Sequence, residues 1–422
     1  MIDLKLLRDQ PDVVRAALAR RGPGPAGLVD RLLELDVSRR ALVTEVDALR
    51  SESKRRGKDV AKASAEDRPQ VLAGLKELSA NLDMAEGRLR KVEEELAEVQ
   101  AHVPNLPADQ APDGGEEDFV ELRRVGAVPA FDFQVRDHLE LGELLSAIDT
   151  KRAAKVSGAR FGYLTGPGAL LEFSLVRFAI DRLAEAGFTP MVPPVLVRRE
   201  AMFGTGFLPT DEQQIFRTAD DDLYLVGTSE VPLVGYHADE ILDARDLPLR
   251  YVGFSSCFRR EAGSYGKDTR GIFRVHQFDK VEMVSFTRPE ASEAEHELLL
   301  AKEEEILQAL ELPYRVIDVA VGDLGGSAAR KFDCEAWIPS QGTYRELTST
   351  SNCTDYQARR SVIRFRGEHG NEPVNTLNGT VIAVGRTIVA LLENHQQADG
   401  SVRVPPALVQ YLGTDILKPP TG

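Results

Sequence analysis

Phe254-Ser255-Ser256-Cys257-Phe258-Arg259-Arg260-Glu261 and Ile272-Phe273-Arg274-Val275-His276-Gln277-Phe278-Asp279-Lys280-Val281-Glu282 decide how this chain is read. Both stretches carry strand signals, and the glycine-bearing loop from Ala262 to Gly271 returns the chain between them. Unless a bulge intervenes, period-two geometry puts Arg274, His276, Phe278, Lys280 and Glu282 on one face of the second strand. On the first, Tyr251, Cys257, Arg259 and Glu261 share a face. The planar fork of Arg259 suits a phosphate, and the Phe278 ring suits a purine. Glu282 suits an ammonium or a hydroxyl. The pair is a candidate nucleotide clamp, and a charged ribbon facing water is the alternative it leaves open. No G-x-x-x-x-G-K-[ST] loop occurs, so a nucleotide has to be held on a sheet.

Length bounds the rest. At 422 residues the chain exceeds one ordinary domain, and 42% hydrophobic residues suffice for a large core. Met1-Ile2-Asp3-Leu4-Lys5 is charged at once, unlike a secretory signal, and no apolar run is long enough for a membrane helix. Cys257, Cys334 and Cys353 are odd in number and widely spaced. A disulfide framework and a zinc site are therefore not expected, and the cytoplasm is the expected compartment. The net charge of −15 argues against a nucleic-acid partner. Its distribution does not: residues 1–102 carry 19 basic and 19 acidic side chains, and Arg50 to Arg68 holds seven basic against four acidic. Local patches are what neutralise phosphates.

The N-terminal segment has coiled-coil spacing. Leu28, Leu32, Leu35, Leu42, Val46 and Leu49 step by fours and threes, with Arg39 in one seam position. After a break near Gly57 to Pro69 the pattern resumes through Leu75, Leu78, Leu82, Ala85, Leu89, Val92, Leu96 and Val99. Two matched runs predict an antiparallel helical hairpin with the basic cluster at and near its tip. A spacer or dimerisation coil with a solvated charged end fits the same pattern. The expected domains are residues 1–102, with the arm at about 27–101, a proline- and glycine-rich linker at 103–118, and 119–422.

The larger part mixes helices and strands. Leu170 to Gly187 reads as an amphipathic helix, followed by the proline-limited segment Phe188 to Leu196, which belongs at a sheet edge or interface. Tyr224-Leu225-Val226, Leu249 to Val252 and Tyr314 to Ile317 read as strands, and Thr376 to Glu393 as a turn and a helix. The expected class is α+β, a mainly antiparallel sheet with flanking helices.

Three further stretches carry candidate chemistry. Glu346-Leu347-Thr348-Ser349 pairs a carboxylate with hydroxyls, a donor set suited to Mg2+. Alternation sets Glu346 and Ser349 on opposite faces, so joint binding requires a bulge or a bridging water; a Ser/Thr strand with no ligand role is the plainer reading. Asn378-Gly379-Thr380 leads into an apolar run that contains Arg386, which needs either a phosphate or a core carboxylate as partner. Thr228-Ser229-Glu230 precedes a helix signal and reads equally as an N-cap.

Taken together, these stretches resemble bacterial-type seryl-tRNA synthetases, class II aminoacyl-tRNA synthetases, over essentially the whole chain. The resemblance rests on Gly187-Phe188 through Pro194 (motif 1), Phe258-Arg259-Arg260-Glu261 through Phe278 (motif 2) and Gly379-Thr380 through Gly385-Arg386 (motif 3). Ser351-Asn352 with Asp355-Tyr356-Gln357-Ala358-Arg359-Arg360, the Thr-Ser-Glu element and the heptad arm add to it. It implies a class II antiparallel sheet preceded by a coiled-coil hairpin, and a serine–tRNA ligase activity. It implies ATP contacts from Arg259, Arg260, Glu261, Val275, Phe278, Glu346, Leu347, Thr348, Ser349 and Arg386, with Arg259, Glu261 and Arg386 carrying the catalysis. Serine would meet Thr228, Ser229, Glu230, Arg259, Glu282 and Thr380, and Mg2+ would meet Glu346 and Ser349. The implied partners are ATP, L-serine, tRNA-Ser and tRNA-Sec, with motif 1 in a homodimer interface and no membrane. Gly227 stands where the family pattern has proline, and Thr348 replaces a smaller residue. A paralogue loading a carrier protein, or a non-catalytic scaffold, is the competing reading; the arm argues against the first and the retained charged residues against the second. The 29 residues after Glu393 are too few for the anticodon-binding domain of the threonine and proline enzymes.

Overall fold

The computed structural model describes the chain apart from Ser264, Tyr265, Lys267, Thr269, His369, Thr421 and Gly422. It divides into two compact units, Met1–Leu106 and Pro107–Gly422.

The first unit is helical: α1 (Leu4–Asp9), α2 (Pro11–Ala19), α3 (Pro23–Lys62) and α4 (Arg68–Ala101). At 1.5 Å per residue, the 40 residues of α3 and 34 of α4 run about 60 and 51 Å. Leu32, Leu35, Val46, Leu78, Ala85 and Leu96 are buried along their seam. Ion pairs Arg39–Glu93, Glu45–Arg88 and Arg50–Glu86 fix the antiparallel register. Arg39, expected in the seam, reaches out to Glu93 instead. At the base, Leu7, Val14 and Leu18 pack with Val29, Leu32, Leu35 and Leu96. The buried Asp36 carboxylate there accepts from Arg8 and Arg40, each at 3.1 Å. The break is narrower than expected, because α3 continues through Gly57 to Lys62. A single glycine costs a helix only about 1 kcal/mol, too little to end one packed along its length. Pro69 lies in the first turn of α4, where its missing N–H would have had no partner.

The second unit is built on an eight-stranded sheet: β1 (Val120–Val125), β2 (Thr189–Met191), β3 (Leu249–Phe258), β4 (Gln277–Thr287), β5 (Tyr314–Asp318), β6 (Arg330–Ile338), β7 (Thr343–Asn352) and β8 (Asn375–Ala383). The order is β1-β5-β6-β7-β8-β4-β3-β2, antiparallel except for β2 on β3. Pro190 is thus on an edge strand, as its missing donor requires. Four helices matter for the site: α5 (Pro167–Glu185), α6 (Glu230–Gly235), α7 (Ser292–Ala309) and α8 (Val384–Asn394). Leu175 and Phe178 of α5, Leu299 and Ile306 of α7, and Ile388 and Leu391 of α8 share one core with Val281, Met283, Val316 and Leu377 of the sheet. Gly187, at φ 88°, turns the chain after α5.

Three local expectations are corrected. Glu261 lies past the end of β3 at φ 51°, so it is placed by a turn and not by strand alternation. Arg274 and His276 precede β4; the His276 ring leaves the face and packs on Phe161, 5.4 Å between centroids. Asn378-Gly379-Thr380 is not a turn but the middle of β8. Glycine fits there because a Cβ would lie 3.0 Å from both Glu303 Oε1 and Met283 Cε.

Candidate active site

A cleft of about 950 Å3, open mouth included, lies over β4, β7 and β8 and against the first turn of α8. Alternation along β4 delivers Phe278, Lys280 and Glu282 to it. Two bulges then shift the phase of the neighbouring strands. In β7, Cys334 pairs with Thr348 and Glu335 with Glu346, so Leu347 is the extra residue. Glu346 and Ser349 therefore both line the cleft, as simple alternation forbids. In β8 the register slips between Thr380 and Ile382, and Asn378, Thr380 and Ala383 all reach the cleft.

One end of the cleft is a buried polar subsite. Glu282 is 2% exposed and accepts a hydrogen bond from Thr380 Oγ1 at 3.1 Å. Lys280 pairs with the same carboxylate, and its Nζ stands 3.4 Å from Thr380 Oγ1. Glu230, at the start of α6, accepts from Gln357 Nε2 at 2.6 Å and Asn378 Nδ2 at 3.1 Å. Burial, then the neighbouring Glu282 charge, pushes its pKa up to about 7. Thr228 Oγ1 accepts the Glu230 N–H at 3.2 Å, whereas Ser229, the residue before the helix, makes no side-chain capping bond.

The middle belongs to Arg259 and Phe278. The guanidinium carbon lies 5.3 Å from the ring centroid, and Arg259 Nε donates to the Gly227 carbonyl at 3.1 Å. Glu261 accepts from Arg274 Nη1 at 2.7 Å. At the far end Arg386 packs over Phe273, 5.0 Å to the centroid, and donates from Nη1 to the Glu346 carbonyl at 3.0 Å. The same nitrogen is 3.4 Å from the Glu346 carboxylate, so the core-carboxylate alternative for this arginine is part of the site itself. Desolvation raises the pKa of Glu346, but Lys331, Arg386 and Arg259 outweigh it and hold the carboxyl down at about 2. Arg386 sits in the first turn of α8, where the helix dipole already favours an anion.

Thirteen expected residues therefore meet in one cleft: Thr228, Glu230, Arg259, Glu261, Val275 and Phe278, with Glu282, Glu346, Leu347, Thr348, Ser349, Thr380 and Arg386. Two others do not line it. Arg260 is exposed, its backbone N–H donating to the Gln214 carbonyl. Ser229 is fully buried behind the cleft, its hydroxyl 2.7 Å from that of Ser255. Lys280, Asn378, Phe273 and Ser351 line the cleft without having been assigned to it. The parity of β4 groups Lys280 with Phe278 and Glu282, and Asn378 stands in a quoted motif. Nothing local marks Phe273.

No group of three or more His, Cys, Asp or Glu side chains suited to a metal occurs among the described residues. One ionised carboxylate beside a hydroxyl nevertheless fits Mg2+, which keeps waters and substrate phosphates as ligands.

Comparisons with known proteins agree along the chain. Residues 1–107 match the seryl-tRNA synthetase N-terminal domain, and 214–395 the class II tRNA synthetase core domain (G, H, P, S and T). Serine–tRNA ligase of Acidothermus cellulolyticus is 60% identical over 99% of this chain and 100% of its own length. That of Rhodococcus opacus is 59% identical with the same coverage. Seryl-tRNA synthetase of Pyrococcus horikoshii, solved with ATP, superposes with a TM-score of 0.94 at 42% identity, covering both chains fully. The Naegleria fowleri cytoplasmic enzyme, solved with AMP, gives 0.88 at 31% identity over 100% of this chain and 99% of its own. Arm, sheet and cleft thus belong together, and the chain is a member of the seryl-tRNA synthetase family of class II aminoacyl-tRNA synthetases.

Proposed function

We propose that this chain is a serine–tRNA ligase that makes seryl-adenylate in the described cleft and passes serine to the 3′ end of tRNA-Ser, and of tRNA-Sec where that tRNA is present. The observation that carries this reading is the junction of an Arg259–Phe278 clamp with a buried Glu282–Thr380 subsite in one cleft.

Each step follows from the residues. Phe278 takes the adenine face, and Arg259 takes the α-phosphate by its planar fork. Glu261 belongs to the nucleotide side, and Val275, Leu347 and Thr348 form the walls. Arg386 meets the terminal phosphate at the α8 N-terminus. Glu230 and Thr228 receive the serine ammonium, while Glu282 and Thr380 bond its hydroxyl. The serine carboxylate attacks the α-phosphorus in line, and pyrophosphate leaves. That nucleophile is already ionised, so no protein base is needed; positioning and charge neutralisation do the work. A terminal ribose hydroxyl of the tRNA then takes the acyl group and AMP departs. Glu346 and Ser349 would hold Mg2+, which supplies further neutralisation of phosphate charge.

The arm is the tRNA reader of this proposal. Arg55 and Arg56 near its tip share Glu52, whereas Lys54, Lys58 and Lys62 have no carboxylate within 4 Å among the described residues. Those three ammonium groups suit a phosphate backbone. A homodimer through motif 1 is supported by the exposure of Val192 within it, at 86%, and of Leu170 and Phe173 on the preceding helix α5, at 58% and 67%. No helix among the described residues is long and apolar enough to cross a membrane. We place the enzyme in the cytoplasm, where its tRNA substrates are.

Serine-dependent ATP–pyrophosphate exchange followed by charging of tRNA-Ser tests the reading. Both activities are expected; no exchange sinks it, and exchange without charging favours an enzyme that loads another carrier.

A further inference from the structure

Beneath the cleft lies a carboxyl group that none of these steps uses. The buried face of α7 carries Glu295, His296, Leu299, Glu303 and Ile306 against the sheet. Its polar members are matched individually. Glu295 takes both nitrogens of the Arg250 fork at 2.7 and 2.8 Å and the Ser285 hydroxyl at 2.7 Å. His296 Nε2 lies 3.1 Å from the Thr350 carbonyl, and the adjoining Glu304 pairs with Arg123.

Glu303 differs. It is fully buried, and no basic side chain reaches it among the described residues. Its Oε2 accepts from Thr348 Oγ1 at 2.9 Å, while its buried Oε1 has no hydrogen-bond partner. Oε1 occupies space that only a glycine leaves open, 3.0 Å from where a Gly379 Cβ would stand. An isolated buried carboxylate without a cation is far costlier than the neutral acid. Burial first, with the nearby acids Asp333 and Glu282, moves the pKa well above the ordinary value.

The two neighbours of this carboxyl sit on different strands. Thr348 lies in β7 between Leu347 and Ser349, on the nucleotide side of the cleft. Gly379 lies in β8 between Asn378 and Thr380, on the serine side. Where β7 meets β8, direct pairing covers Thr350 to Asn352, so Thr348 lies beyond the paired stretch. A side chain from α7 bridges the two strands there.

We infer that Glu303 is a positioning residue for this cleft: its carboxyl, tied to Thr348 and seated under Gly379, sets the nucleotide strand against the strand that carries Thr380. The inference rests on the proposed function. Losing the tie lets β7 and β8 drift apart under the substrates, and serine, whose hydroxyl is met by Thr380 of β8, feels it most.

Serine-dependent exchange by the full chain separates the contributions. Glu303→Gln keeps a neutral acceptor for Thr348; Glu303→Met keeps length and packing but no hydrogen bond; Thr348→Val removes only the hydroxyl. We expect E303Q to stay within about threefold of the unaltered enzyme, and E303M and T348V each to raise the serine KM about tenfold, as one lost buried hydrogen bond implies. The E303M/T348V double variant should be no worse than either single one, because both remove the same bond. Adenylate-burst titration checks that the active fraction is unchanged; a lower fraction with normal KM would make Glu303 merely structural. If E303M and E303Q both stay near the unaltered enzyme, volume alone matters; if both are damaged alike, an acceptor for Thr348 is not enough. Either result overturns the inference, as does a silent T348V, which also decides the matter should E303M not fold. An unaltered enzyme without any exchange would instead refute the parent reading, and is measured first.

Discussion

Arg259 and Phe278 face each other across the paired ends of β3 and β4, guanidinium carbon 5.3 Å from ring centroid. The Arg259 Nε is already committed to the Gly227 carbonyl at 3.1 Å, which aims the terminal nitrogens into the cleft. Gly227 leaves that contact unstrained, since a Cβ there would meet Arg259 Cγ at an ordinary 3.6 Å. The departure from proline at this position therefore does not disturb the clamp.

Replacing Arg259 by Lys should lower kcat/KM for exchange by about 100-fold or more, although the charge is kept. The ammonium cannot both hold Gly227 and offer a planar pair of donors to a phosphate. Initial-rate exchange assays with varied ATP check this; a loss under threefold would remove Arg259 from the reaction.

Thr380→Val keeps shape and removes the donor that lies 3.1 Å from Glu282. The serine KM should rise about tenfold or more, because a buried polar subsite is left incomplete. The ratio of serine to alanine activation should fall with it, while the ATP KM changes little. Exchange with each amino acid gives all three values.

Glu230 predicts a pH dependence of known sign. Its folded pKa of about 7 lies above the ordinary 4.5, so the folded chain binds this proton more tightly than the unfolded one. Stability from this group is full below about pH 4.5 and falls as pH rises to about 7. Serine affinity runs the other way, since only the carboxylate attracts an ammonium: 1/KM should climb with pH and level above about 7. Glu230→Gln should flatten that profile at low affinity and, above pH 7, gain about 1–3 kcal/mol in denaturant unfolding.

The arm can be shortened without disturbing its base. Residues 45–88 lie beyond the cluster of Leu7, Leu18, Leu32, Leu35 and Leu96, and their removal takes the Glu45–Arg88 and Arg50–Glu86 pairs together. Joined by a short loop, the shortened chain should keep its exchange rate within about twofold and lose at least 100-fold in tRNA charging. Equal loss of both activities would exclude the arm from tRNA reading.

How much of this was legible in the residues depended on whether local pattern or distant packing placed each one. Period two along β4 grouped Phe278, Lys280 and Glu282 correctly because that strand is regular. It failed for Glu346 and Ser349, where an unpaired Leu347 is invisible to any count of spacing. Arg260 was implied by the resemblance alone; alternation with Arg259 and Glu261 sets it on the opposite face, and it lies outside the cleft. Asn378-Gly379 carries turn chemistry locally, yet the side chains of Glu303 and Met283 claim the space beside that glycine and keep it mid-sheet. The hairpin was readable in its heptads, but Gly57 overstated the break because a long packed helix absorbs one glycine. Ser229 reads as part of the site by adjacency alone; its hydroxyl turns to Ser255.

The extra residue at Leu347 divides β7 into two alphabets. Downstream of it, odd-numbered Ser349 and Ser351 face the substrates; upstream, even-numbered Glu346 does. The strand thus spells its cleft hydroxyls in one frame and the carboxylate proposed for Mg2+ in another, with a single leucine as the punctuation. Deleting that leucine would take one wall from the cleft, yet would leave Glu346 two residues from Ser349, on the same face by plain alternation.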